Sequence, residues 1–254
     1  MDERNHFLAT LPAEAFELIK PSLEPVTLKR DQRIVEVDKP VTDVLLPVNS
    51  IISVIAVMKN GDLAESRTIG REGGFGLLHA LGSRTSFERV ITQIGGDAWR
   101  IGLDDLRDAA AQNPGLTRAI VRHAQATIVQ SAQFTACNAL HNAAPRLCRW
   151  LLMTQDRLGS DILPLTQEHL AIMLAVQRTT VTTLATALQD DGLISYRRGK
   201  IRILDREGLE RRSCECYASL TRSAARILGE AANSGRADGR WAGAFGDKMA
   251  SPVA

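Results

Sequence analysis

Histidine and cysteine are both scarce in this chain, and neither is placed for the chemistry it most often serves. The 254 residues include five histidines and four cysteines. Only His79 falls inside the stretch that reads as β-strands, so a metal-dependent enzyme built on those strands would lack its histidine-and-carboxylate cluster. No catalytic residue is assigned. The cysteines (Cys137, Cys148, Cys214, Cys216) are late and irregularly spaced, which argues against a secreted disulfide framework. Cys214-Glu215-Cys216 has no further ligand beside it in sequence, so it reads as a packing or surface element, with no metal and no cofactor expected. No apolar run reaches the ~20 residues that span a bilayer. No apolar stretch follows Met1-Asp2-Glu3-Arg4 as it would in a signal peptide, so the expected compartment is the cytoplasm. A surplus of charge is missing too: 31 Lys and Arg stand against 29 Asp and Glu, for a formal net charge of +2. That balance excludes a generally basic nucleic-acid coat. Any nucleic-acid partner must be met by locally concentrated positive charge.

What the chain does have is apolar material, 44% of it, enough to fill one large or two modest domains. Its most informative stretch is LTQEHLAIMLAVQRTTVTTLATALQDDGLISYRRGKIR, residues 165–202. Thr166 is a good N-cap, and Leu170, Met173 and Leu174 share one helical face. After a break at Ala175-Val176-Gln177, a second helical pattern runs through Val181, Leu184, Ala185 and Leu188. Two short helices joined by such a turn form a helix-turn-helix, whose second helix suits the major groove. Ala171 and Ala175 are expected where the two helices approach closely. Gly192 reads as the C′ glycine that ends the second helix. The runs 193–197 and 200–203 then flank Arg198-Gly199 as a basic hairpin, completing a winged helix. Gln177-Arg178-Thr179-Thr180 opens the second helix with polar groups that can reach base edges, and arginine pairs bidentately with guanine O6/N7.

Upstream, residues 4–23 form a short amphipathic pattern, with Pro12 where a helix could start. From Val26 to Ile101 the texture is short β-rich runs (26–28, 33–37, 44–46, 51–57, 63–69, 88–94, 98–101) separated by turns, with Asn60-Gly61 as a hairpin signal. Such spacing predicts a sandwich or jelly roll. A helix starts near Asp104, Asn113-Pro114 breaks or re-caps it, and a long helix runs from Pro114 to about Cys137. Its face of Leu116, Ile120, His123, Thr127, Ile128, Ser131 and Phe134 suits a dimer contact or packing on its own sandwich. Residues 138–143 read as a hinge, 144–158 as an amphipathic helix, and 205–228 as a further helix. Gly229 to Ala254 is rich in Gly and Ala and is expected to be disordered. The fold class is α+β, with a sensor β-roll over 1–112, a dimerisation helix and hinge over 113–140, a winged helix over 141–228 and a tail over 229–254.

A β-rich roll, a long helix and a C-terminal winged helix, in that order, resemble the Crp/Fnr family of bacterial transcription regulators. The resemblance covers roughly residues 10–215 and is most specific in LTQEHLAIMLAVQRTTVTTLATALQDDGLI and the wing; Pro145 to Leu152 also look like the family's first DNA-binding-domain helix. It implies a homodimer on a palindromic operator, and RNA polymerase as a further partner if the protein activates transcription. Arg178 matches the family's base-reading arginine, Thr179 replaces its usual glutamate, and Thr183 replaces an arginine of the cyclic-AMP-responsive branch. Gln177, Arg178, Thr179, Thr182 and Thr183 form the expected base-reading set. Arg197, Arg198 and Lys200, with Thr166 and Thr180, are assigned to phosphates, which position the domain without reading sequence. Cyclic-nucleotide sensors of this fold hold the ribose and phosphate with a Gly-Glu pair and a later Arg. Here Gly73, Gly74, Phe75 and Gly76 supply glycines, but Leu77 stands in the glutamate's place and Ser86 near the arginine's. With Arg84 and Arg89 nearby, these residues outline an effector pocket that lacks the usual nucleotide grip. No cysteine precedes Cys137, so the N-terminal cluster of the oxygen-sensing branch is absent. His79, the one candidate haem ligand of this region, reads as a packing residue. A cyclic-nucleotide-responsive regulator and a protein-interaction module using the winged helix are the alternative readings.

Overall fold

The computed structural model describes residues 5–229, so the expected tail beyond Gly229 lies outside the described residues. Two short helices open it, α1 (His6–Ala9) and α2 (Ala13–Ile19), with Pro12 at the N-cap of the second. Seven strands follow: β1 (Glu24–Leu28), β2 (Arg33–Val35), β3 (Asp43–Pro47), β4 (Ile51–Val57), β5 (Leu63–Ile69), then, after α3 (Leu77–Leu81), β6 (Arg89–Ile94) and β7 (Gly96–Gly102). They form two antiparallel sheets, ordered β1-β7-β3 and β2-β6-β4-β5. The Asn60-Gly61 signal is a true hairpin between β4 and β5, closed by a longer loop in which Asn60 Oδ1 accepts from the Asp62 N–H at 3.1 Å.

Helix α4 (Leu103–Gln112) leads into α5 (Pro114–Leu140), which Asn113 caps by accepting from the Leu116 N–H at 3.0 Å. The predicted hinge over 138–143 shrinks to His141-Asn142, because Asn138, Ala139 and Leu140 continue α5 for another turn. Leu116, Ile120, His123 and Phe134 of the expected seam are buried inside the chain, packed towards the β-roll and the last helix, Cys216–Gly229. Ile128 of the same expected face is exposed, with Val121, Ala132 and Thr135 beside it on the solvent side of the helix.

The C-terminal half comprises α6 (Ala143–Leu158), β8 (Ile162–Leu163), α7 (Gln167–Leu174), α8 (Arg178–Asp190), β9 (Ile194–Arg197), β10 (Lys200–Ile203), α9 (Arg206–Arg212) and α10 (Cys216–Gly229). The single helix expected over 205–228 is two, because the chain extends at Ser213 (ψ 155°) before α10 begins. β8, whose two residues were not legible as a strand, pairs with β10 and makes the wing three-stranded. The core of this half includes Ile51 of β4 and Ile94 of β6 alongside Leu147, Trp150 and Leu151 of α6. The winged helix is therefore packed on the roll's larger sheet.

Candidate nucleic-acid interface

Helix α7 begins with a capping box. Thr166 Oγ1 accepts from the His169 N–H at 3.2 Å, and the His169 ring reaches back to Thr166. His169 also meets Asp31 at 2.9 Å and Arg30 at 3.1 Å, so this helix start rests on the loop between β1 and β2. Leu170, Met173 and Leu174 are buried as their spacing predicts. Ala175 is not the close-approach residue that the spacing suggests. It is exposed, and its φ of +50° turns the chain out of α7 in a left-handed conformation. The axes of α7 and α8 are bent by 106°, within the helix-turn-helix range.

Val181, Ala185 and Leu188 fasten α8 to the core, while Leu184 is half-buried. The helix ends in a Schellman motif. The Leu193 N–H donates to Leu188 C=O at 2.9 Å, the Gly192 N–H donates to Gln189 C=O at 2.9 Å, and Gly192 has φ +71°. The outer face carries Gln177, Arg178, Thr179, Thr180, Thr182 and Thr183, all exposed. Two of these threonines have committed their donor. Thr182 Oγ1 donates to Arg178 C=O at 3.0 Å, and Thr183 Oγ1 donates to Thr179 C=O at 3.2 Å. What they present outward is a methyl group and acceptor lone pairs.

The wing is fixed to α8 by the Tyr196 N–H, which donates to Gln189 Oε1 at 2.7 Å. A groove between them is lined by Gln167, Thr182, Gln189, Tyr196 and Arg198. The wing tip is a two-residue loop, Arg198-Gly199, with φ +50° and +72°; Arg197 and Lys200 pair beside it. A type I′ turn requires positive φ at both central residues, which favours Asn or Gly rather than Arg at the first. Arginine is held at the tip despite that strain. Among the described residues none of Arg178, Arg197, Arg198 and Lys200 is engaged in an ion pair, whereas Arg206, Arg211 and Arg212 behind them all are. Of the residues assigned to phosphates, Thr166 alone is half-buried, with its hydroxyl occupied in the cap.

The expected effector residues are placed differently. A Cβ on Gly73 would lie 2.0 Å from Cε1 of His123, and one on Gly74 would lie 2.4 Å from a methyl of Leu46. Those glycines let the turn pack directly on α5 and β3. Gly76 turns with φ +90° into α3, while Phe75 and Leu77 are buried in the roll's core. Arg84 pairs with Asp104, and Arg89 Nε lies 3.0 Å from Glu36 Oε1. Ser86 is buried and donates to Glu88 C=O at 2.7 Å. His79 rests against the Phe75 ring, 5.6 Å between centroids. The set is thus dispersed between core packing and surface ion pairs.

Two clusters escape sequence reasoning. One joins the halves: Glu65 of β5 meets Trp150 of α6, and Arg157 Nε donates to Glu72 Oε1 at 2.8 Å, with Thr68 as a further partner. Gly70 permits this, since a Cβ there would lie 2.7 Å from Arg157 Cγ. The other brings Cys137 and His141 to Cys214 and Cys216.

A β-roll followed by a long helix and a winged helix, whose second helix turns an exposed polar face outward, is an architecture that carries a helix-turn-helix of the DNA-binding kind at its C-terminal end. Residues 145–212 match the model of the Crp-like helix-turn-helix domain, so the C-terminal half contains a domain of that kind. Over 76–80% of its length the chain has the fold seen in solved Crp/Fnr regulators. It is similar to FixK2 from Bradyrhizobium japonicum (TM-score 0.65, 16% identity, 76% of this chain and 98% of that one). It is also similar to a transcriptional regulator of the Crp/Fnr family from Eubacterium rectale (0.62, 18%, 80% and 95%). The c-di-GMP-responsive global regulator CLP of Xanthomonas campestris is a third such structure (0.62, 14%, 76% and 100%). No sequence among the curated proteins matches the chain.

Proposed function

We propose that the protein binds a palindromic operator as a homodimer, reading bases with Gln177, Arg178, Thr179, Thr182 and Thr183. Arg197, Arg198, Lys200 and Thr180 hold the phosphates. The observation that carries this reading is the exposed, unpaired polar face of α8 lying beside an unpaired basic wing. Arg178 suits guanine. Thr182 and Thr183, with their hydroxyl protons committed to the helix, suit a thymine methyl or the amino groups of adenine and cytosine. The dimer reading rests on the solvent side of α5. Val121, Gln125, Ile128, Ala132, Thr135 and Ala139 recur there at alternating intervals of four and three and are all exposed, Ile128 at 65%. That spacing is the seam of a two-stranded coiled coil, and it lies one step round from the face that the sequence periodicity suggests.

Selection from a random DNA library at graded salt tests the proposal. The expected product is a palindrome with half-sites about one helical turn apart, bound less tightly as salt rises. Arg178→Ala should cost ~1–3 kcal/mol at one base position and relax specificity there. An unselective protein, or an asymmetric single site, would contradict it.

Arg198→Gly is expected to act in opposite directions on fold and function. Relief of the positive φ should stabilise the protein by ~0.5–1 kcal/mol in thermal unfolding. Loss of one phosphate contact should weaken all DNA sequences alike and lower the salt slope by about 1. A variant that loses stability, or that changes base preference, would show that Arg198 has another role.

A further inference from the structure

Three cysteines and a histidine from separate parts of the chain converge where α5 ends. Cys137 lies in its last turn, His141 is the residue that caps it, and Cys214 and Cys216 flank the start of α10. The four ligand atoms lie within 4.8 Å of one another, and all three cysteines are free thiols. Cys137 Sγ is 3.6 Å from Cys214 Sγ, and Cys216 Sγ is 3.6 Å from His141 Nδ1. With Zn–S of ~2.3 Å and Zn–N of ~2.0–2.1 Å, the edges of a tetrahedral zinc site are about 3.8 Å for S···S and about 3.6 Å for S···N. Cysteines packed merely as small apolar residues would account for the distances alone. They do not account for the polar groups arranged around them.

Those groups fit a metal. His141 turns Nδ1 to the sulfurs and Nε2 to Glu215 Oε1 at 3.2 Å, the carboxylate–histidine pairing that orients metal-bound imidazole. Gln133 Nε2 donates to Cys216 Sγ at 3.0 Å. Arg146 and Arg149, 7% and 4% exposed, lie within electrostatic reach of Cys137; Arg146 Nη2 donates to Leu174 C=O at 2.7 Å and Arg149 lies 4.3 Å over the Phe134 ring, but no carboxylate is paired to either among the described residues. Nε of each lacks a hydrogen-bond partner. Burying two guanidinium charges without a counter-charge is costly. Three thiolates around a divalent ion carry a net negative charge and supply it.

We propose that Cys137, His141, Cys214 and Cys216 bind one zinc ion in a closed tetrahedral site that pins the junction of α9 and α10 to the end of α5. Thiolate and imidazole ligands favour zinc over magnesium or calcium, and four protein ligands leave no open position for catalysis. Each thiol releases its proton to solvent as the metal binds, and His141 coordinates as the neutral imidazole. The location gives the site its consequence. His141-Asn142 is the only break between α5 and α6, so zinc there fixes the angle at which the helix-turn-helix half leaves the long helix. None of the four ligands belongs to the DNA-reading face, so this site stands or falls independently of the operator proposal.

Full-length protein, purified under reducing conditions and exchanged into metal-free buffer, tests the site. Elemental analysis after adding zinc and dialysing should find one zinc per chain. Cobalt(II) in its place should give the visible bands of a tetrahedral ion and a thiolate-to-cobalt charge-transfer band. Cys214→Ala should abolish both, and Cys148→Ala, outside the cluster, should keep both. Glu215→Gln should keep the cobalt spectrum while weakening affinity about tenfold. The proposal is overturned if the unmutated protein holds far less than one zinc, or if its cobalt spectrum is octahedral. It is equally overturned if the spectrum survives Cys214→Ala, or if anaerobically purified protein carries an iron–sulfur chromophore.

Discussion

Replacing Trp150 with alanine is expected to destabilise the protein by about 3–5 kcal/mol, the range for deleting a large buried aromatic. Trp150 is 2% exposed, and it packs among Leu147, Leu151, Leu188 and the two sheet residues Ile51 and Ile94. Its Nε1 donates to Glu65 Oε1 at 3.3 Å. The other oxygen of that buried carboxyl accepts from Ser53 Oγ at 2.6 Å and Gln93 Nε2 at 3.0 Å. Burial pushes the Glu65 carboxyl above the usual carboxylate range, opposed by the Ser53 hydroxyl, the Arg157 charge and the Trp150 and Gln93 donors. Trp150→Phe keeps most of the apolar surface but removes one donor, so it should cost less, ~1–3 kcal/mol. Glu65→Gln should also destabilise, because its amide would face either Trp150 Nε1 or the Ser53 and Gln93 donors. In the Trp150→Phe background that conflict disappears, so the double variant should lose less than the sum of the two singles, by ~0.5–3 kcal/mol. Urea unfolding of the four proteins measures this. A neutral Trp150→Phe would show that Glu65 does not depend on the indole, and strict additivity would show that the two side chains are not coupled. The contact joins β5 to α6, so these substitutions loosen the helix-turn-helix half from the roll.

The pattern of local elements was largely legible. The seven strands of the roll, the N-cap at Thr166, the apolar stripe of α7 and the C′ glycine Gly192 all express themselves within a few residues, through period-2 or period-3.6 spacing and capping chemistry. What failed to show was whatever depends on partners distant in sequence. Gly73 and Gly74 suggest a ligand-cradling loop when read alone, and only the positions of His123 on α5 and Leu46 on β3 show the clearance that each glycine gives to a side chain. Of the two readings open for the apolar face of α5, packing within the chain holds for Leu116, Ile120, His123 and Phe134, which are more apolar than the exposed stripe of Val121, Ile128 and Ala132. Burial within the chain claims the stronger face. Cys137 and Cys214 are 77 residues apart, and nothing in either neighbourhood announces the other. Glu65 and Trp150 are 85 apart, and a lone Glu in an alternating strand reads as its solvent side.

Lowering the pH from about 6.5 to 4 is expected to remove ~3 kcal/mol of stability through His123 alone. Its ring is 7% exposed, wedged against Gly73 and set edge-on to Phe7, with centroids 6.1 Å apart. Burial pulls its pKa down from 6.5 to about 4; the Glu72 charge and the Gly74 backbone oppose the shift, and Arg67 adds to it. Between those two pH values the unfolded chain binds a proton that the folded chain refuses. Stability is therefore full above pH 6.5 and falls as the pH drops towards 4. His6, also lowered to about 4 by burial and by Arg71, acts in the same direction. Glu65 acts in the opposite one: with its folded pKa raised, its contribution falls as the pH rises above its ordinary value. The total slope mixes these groups, so the measurement to make is a difference. Stability of the unmutated protein and of His123→Gln, followed by urea unfolding at steps from pH 4 to 7.5, should diverge as the pH rises. The unmutated protein should gain the ~3 kcal/mol across that window and the variant should lack that gain. Parallel curves would mean that His123 takes up its proton as readily in the folded protein as in the unfolded chain. The turn at Gly73 would then have to accommodate an imidazolium, which the packing around it opposes.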